Sequence, residues 1–153
     1  MFDPKRAVRY IGKLVSAILI ISVLSFVIIS IRNNPPPKPT ITLTQPTVYG
    51  GLDNQTCEWR INSTSEPTYS FDSYKVQIFM DGIPMADPAP TLRTGGMYFG
   101  AGVWLMVQDL GLGKLMNGEK LQVGPLGNLH SWRFSLIWAA DGFELASLSW
   151  STP

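Results

Sequence analysis

Few residues in this chain could carry acid–base, nucleophilic or metal chemistry. His130 is its only histidine and Cys57 its only cysteine. A Ser-His-Asp relay would have to use His130, yet no serine sits in a nucleophile-elbow motif. His130 in Gly127-Asn128-Leu129-His130 reads instead as a turn residue at the start of a strand. One His and one Cys do not make a zinc ligand set, and a lone cysteine forms no internal disulfide. Cys57, two residues from Trp59, is expected to be a small buried apolar side chain. No glycine-rich phosphate loop opens a helix. The stretch Asp109-Leu110-Gly111-Leu112-Gly113, followed by Asn117-Gly118-Glu119, has the outline of a calcium loop. Glycines occupy its second and third acidic positions, so only Asp109 and Glu119 could offer carboxylates, and a plain glycine-rich turn is expected. The expectation is therefore no catalytic residue, no metal, no cofactor and no enzymatic activity.

Two glycosylation sequons, Asn54-Gln55-Thr56 and Asn62-Ser63-Thr64, make Asn54 and Asn62 candidate modification sites. The charges are unevenly spread. Lys5, Arg6, Arg9 and Lys13 stand against Asp3 alone in the first 13 residues, whereas residues 32–153 carry 8 basic and 10 acidic side chains. The larger part thus lacks the basic surplus that binds phosphate backbones, and nucleic acid is not an expected partner.

Leu14 to Ile31 reads LVSAILIISVLSFVIISI, with no charge and only serines as polar members. Such a run spans roughly 27 Å as a helix, and lipid enforces that helix because the backbone must satisfy its own hydrogen bonds. The flanking Ile29-Ser30-Ile31-Arg32-Asn33-Asn34-Pro35 fits a signal-peptide cleavage site poorly. Four basic residues precede the run and only Arg32 and Lys38 follow closely. The positive-inside rule then puts the N-terminus in the cytoplasm and the rest outside. The sequence divides into residues 1–13, a cytoplasmic basic segment or a leader; 14–31, a transmembrane helix; 32–39, a stalk; and 40–153, an extracytoplasmic domain. Pro35, Pro36, Pro37 and Pro39 give the stalk polyproline II character.

Beyond residue 40 the apolar period becomes two. Tyr74, Val76, Ile78 and Met80 alternate with polar residues before Asp81-Gly82, a type I′ hairpin signal. Trp132, Phe134, Leu136 and Trp138 repeat the pattern before Asp141-Gly142, and the phase then slips near Leu145–Ala146, which predicts a bulge. Further strands are expected at 40–44, 57–61, 102–108 and 120–123, separated by turn residues that include Gly50-Gly51 and Gly95-Gly96. About seven short strands predict an all-β, immunoglobulin-like antiparallel sandwich. Tyr98, Phe99 and Trp104 are expected to pack in its core.

The N-terminal stretch Lys5-Arg6-Ala7-Val8-Arg9-Tyr10-Ile11-Gly12, running straight into an apolar helix, resembles the N-terminus of archaeal type IV pilins and archaellins. In that family a prepilin peptidase cuts after the small residue. The resemblance implies that Arg6 and Ala7 end a leader and Val8 begins the mature chain. It also implies assembly with copies of itself or related pilins through the helix, at the cell surface or in a filament. The strand, Gly-rich turn and Gly-Glu pattern of residues 103–123 and the closing hairpin resemble the sandwich of such pilins. Family members usually carry a small or apolar residue where Arg9 stands, and Pro-Val before the Ile-Gly where this chain has Tyr10. Arg9 and Lys13 would fall on the helix that packs in a filament core, where an unpaired buried charge costs several kcal/mol. Either they sit at a hydrated end, or the protein is a permanently membrane-anchored binding or accessory protein that does not polymerise.

Overall fold

In the computed structural model, residues 4–33, 37–51, 54–65, 68–111 and 113–153 are described. The chain forms two units, residues 1–37 and 38–153. The first is a helix, α1 (Pro4–Asn33). It is longer than the apolar run alone, because the basic flank continues the same helix and Pro4, whose missing N–H costs nothing in the first turn, can start it. Gly12–Ser30 has a mean hydropathy of 2.5, and none of it is buried by the chain itself. Thirty residues extend about 45 Å, enough to cross a bilayer core with turns to spare.

Arg32 and Asn33 thus belong to the helix rather than to a stalk. Residues 34–36 lie outside the described residues. Pro39 is buried in the second unit. Beside it, Lys38 pairs with Asp141 at 2.6 Å and lies 4.1 Å from the centre of the Phe143 ring. Lys38 and Pro39, the end of the expected spacer, are therefore docked on the domain.

That domain is a sandwich of two antiparallel sheets. Its strands are β1 (Ile41–Leu43), β2 (Thr47–Gly51), β3 (Asn54–Thr64), β4 (Tyr74–Met80), β5 (Ile83–Pro84), β6 (Gly95–Gly100), β7 (Val103–Gln108), β8 (Lys120–Leu126), β9 (Ser131–Trp138) and β10 (Glu144–Ser151). The larger sheet runs β1-β3-β8-β7-β6 with β2 also on β3, and the smaller runs β10-β9-β4-β5. Ten strands stand where about seven were expected, because short strands and two glycine pairs hide the rest. Gly50-Gly51 ends β2 and Gly95-Gly96 begins β6, so neither pair is only a turn. The Asp81-Gly82 hairpin is as expected, both residues having positive φ (51° and 80°), as a type I′ turn requires. The bulge predicted near Leu145–Ala146 appears as a register shift between Glu144 and Ala146.

Alternation decides what each strand buries. β3 turns Gln55, Cys57, Trp59 and Ile61 inward, and β9 contributes Trp132, Phe134, Leu136 and Trp138. Trp59 is the centre of the core, its ring 4.7 Å from Phe134 and 5.6 Å from Trp150. Cys57 lies on the same inward face, fully buried, and burial pushes its thiol up to about 12.

Candidate functional site

The outward face of the larger sheet carries side chains the core does not use. β7 alternates cleanly. Val103, Leu105 and Val107 point inward, while Trp104, Met106 and Gln108 point out. On β6, Met97 and Phe99 are buried and Tyr98 faces out. Phe99 thus packs in the core as expected, but Tyr98 and Trp104 do not: they are 55% and 46% exposed. Alternation along a strand separates two faces without saying which is buried, and here the aliphatic set on β7 won the interior.

The register aligns these residues in two rows. In the first, Tyr98 stands opposite Trp104, Trp104 opposite Gly124, and Thr56 opposite Tyr49 across β3 and β2. The Tyr98 and Trp104 rings are 5.1 Å apart and tilted by 51°. In the second row, Gly96 faces Met106, Met106 faces Gln122, and Gln122 faces Glu58. Both glycines keep the floor low. A Cβ on Gly96 would come within 3.0 Å of the Met106 sulfur, and one on Gly124 within 3.0 Å of the Gln55 carbonyl and the Thr56 hydroxyl.

Beside the rings runs a polar chain. The Gln122 side-chain amide donates to the Tyr49 hydroxyl at 2.8 Å, which donates to Glu58 at 3.3 Å. Lys120 pairs with the same Glu58 oxygen at 2.6 Å, and Arg60 lies 3.9 Å from the other. The Lys120 hydrogen bond is the main cause that holds the Glu58 carboxyl below its ordinary range. One carboxylate faces two cations, Lys120 and Arg60, so the cluster carries a single net positive charge. Asn54 and Asn62 are exposed near the two ends of β3, with Thr56 and Thr64 of their sequons on the same outward face.

The other candidates resolve differently. Asp81, in the β4–β5 turn, accepts from the His130 ring (2.6 Å) and from the Ser131 amide (2.9 Å) and hydroxyl (3.2 Å). The Ser131 amide first, and then His130, hold its carboxyl below the ordinary value. Aspartate stands between serine and histidine here, so the trio locks a turn and is not arranged as a relay. His130 is at the strand start, as its loop position suggested.

Asp109 closes its own loop, accepting from the Gly111 and Gly113 amides at 2.9 and 3.3 Å. Glu119 is fully buried, and neither carboxylate oxygen has a partner at hydrogen-bond distance. Burial raises its pKa to about 7 and the Asp109 charge adds to the rise, while the Met116 and Leu110 N–H groups, which face the carboxylate without completing a hydrogen bond, oppose it. The buried Tyr74 hydroxyl feels the same carboxylate and is pushed up to about 12, mainly by burial. Among the described residues, no group of three or more His, Cys, Asp or Glu side chains is placed to hold a metal ion.

At the N-terminus, Lys5, Arg6, Ala7, Val8, Arg9 and Lys13 all lie within α1, so the Arg6-Ala7-Val8 junction is helical. The comparisons with known proteins add no relative, since no family model matches the chain and no curated protein is similar to it.

Proposed function

We propose that the chain is a pilin-like cell-surface protein, held by α1 and presenting the β-sandwich outside the cell as a subunit or minor component of a type IV pilus-like filament. The observation that carries this reading is the uncovered apolar surface of α1. Large side chains from Leu14 to Ile29 are 45–73% exposed, a surface that needs lipid or neighbouring helices. The basic residues before it support an N-in orientation, and the Arg6-Ala7-Val8 resemblance supports processing by a prepilin peptidase. Mass spectrometry of the protein purified from its native membrane tests the reading. A mature chain beginning at Val8 is the expected result, and a retained Met1 refutes processing. Electron microscopy should then show filaments that vanish on deletion. The same spectrum reads Asn54 and Asn62, because a glycan adds mass that Asn→Gln substitution at each sequon removes.

A second reading, a permanently anchored binding or accessory protein, is favoured by one feature. Arg9 and Lys13 put two cations at the start of the helix, where a filament core would bury them at a cost of several kcal/mol. In this reading Met1 is retained, no filament forms, and the outward sheet face is the working surface.

A further inference from the structure

We infer that the outward face of the larger sheet binds carbohydrate, specifically a chain of neutral hexopyranose units laid across Tyr98 and Trp104. A pyranose ring has one face of C–H bonds and an equator of hydroxyls. The C–H face needs an aromatic surface whose ring plane carries negative charge density. The hydroxyls need fixed hydrogen-bonding groups a few ångströms to the side. This face supplies both in register. Two tilted rings 5.1 Å apart form the platform, and Gln122, diagonal to Trp104 across β7 and β8, begins a polar chain in which Gln122, Tyr49 and Glu58 are already bonded to one another. That mutual bonding fixes the donors and acceptors before a ligand arrives, which lowers the ordering cost of binding.

The same chemistry argues against other occupants. Glu58 offsets one of its two cationic neighbours, Lys120 and Arg60, so one net cation remains, and it lies in the Gln108–Lys120–Arg60 row, two rows from the Tyr98–Trp104 pair. The exposed large side chains of this face, Tyr49, Tyr98, Trp104 and Met106 (44%, 55%, 46% and 48% exposed), offer about 400 Å² of apolar surface at roughly 100 Å² each. A stable protein interface of ~800 Å² per partner is about 57% apolar, so a second copy would have to use the whole face, and sedimentation separates it from a ligand that needs only the two rings. A patch of that size suits a small amphipathic ligand. The inference does not depend on whether the leader is cleaved or a filament forms.

The test is isothermal titration of the full-length chain, in a detergent without a sugar headgroup, with soluble β-glucan, mannan and galactan in turn. At least one should bind. Trp104→Ala and Tyr98→Ala should each weaken that binding about tenfold, the scale of one aromatic stacking contact. Trp104→Phe should retain most of it. Phe143→Ala, which removes an exposed aromatic elsewhere, should leave it unchanged. Thermal melts check that each variant is folded. Absence of binding by all three polymers overturns the inference, as does wild-type binding by both alanine variants. So does sedimentation showing that Trp104→Ala acts by dissolving a dimer.

Discussion

Glu119 makes the stability of the sandwich depend on pH in a direction opposite to its other perturbed carboxylates. Its side chain is fully buried, and burial lifts its pKa from 4.5 to about 7. A carboxyl whose folded pKa is raised binds more protons folded than unfolded between those two values. Its contribution is thus fully present below the unfolded value and is lost as pH rises to about 7. The rise from 4.5 to about 7 corresponds to an upper bound of about 3 kcal/mol. For a domain of this size that is a fall in Tm of roughly 10 °C. Glu58, Asp81, Asp141 and Glu144 have lowered pKa values, so they stabilise above the ordinary carboxylate range and lose that effect as pH falls. The sandwich should be most stable just above that range. Glu119→Gln keeps the shape and removes the charge. Unfolding of the full-length protein, followed by near-ultraviolet circular dichroism from about pH 5 to about pH 8, should show Tm falling in the wild type and nearly flat in the variant. Parallel curves for the two proteins would refute the assignment to Glu119.

Three other outcomes follow from the packing. Trp59→Ala empties the centre of the core, where Phe134 and Trp150 meet the indole; denaturant unfolding should show a loss of about 3–5 kcal/mol. Gly124→Ala forces a methyl against the Gln55 carbonyl and the Thr56 hydroxyl. It should cost about 1–3 kcal/mol in the same assay, whereas Gly96→Ala, which meets the mobile Met106 side chain first, should cost less. Cys57, buried with its thiol raised to about 12, should resist iodoacetamide in the folded protein and react readily once denatured, as measured by mass shift.

Parts of the architecture could be read from the chain alone because one physical demand dominated there. Eighteen uncharged residues from Leu14 to Ile31 leave the backbone no alternative to a helix in lipid. β4 and β9 were legible because their apolar positions alternate and Asp81-Gly82 has the chemistry of a tight turn. β2 and β6 were not, because Gly50-Gly51 and Gly95-Gly96 carry turn chemistry into strands. At Gly96 the missing side chain makes room for Met106 and Trp104 on the facing strand, a reason that exists only across the sheet. The outward face was hidden for a related cause. Gln122 and Tyr49 are 73 residues apart in sequence, and only the register of β2, β3 and β8 makes them neighbours. Trp104 alternates with Val103 and Leu105 in the sequence, which leaves its face open; the choice is made by Val103, Leu105 and Val107 filling the space between the sheets.

The way the chain enters the sandwich sets its anchorage apart from the aromatic face. Lys38 and Pro39 are the first residues of the head, and the Lys38–Asp141 contact fastens them to the β9–β10 turn. β1 comes next and joins the sheet only through β3, by three residue pairs with a shift among them. This entry is held by the Lys38–Asp141 pair, the buried Pro39 and Ile41, and backbone hydrogen bonds pairing Thr40 with Ser65 and Thr44 with Arg60, while the strands bearing Trp104 and Tyr98 lie at the far side of the same sheet. The entry strand and the aromatic face therefore occupy opposite sides of one sheet, so within it a change at β1 reaches Trp104 and Tyr98 only through β3 and β8.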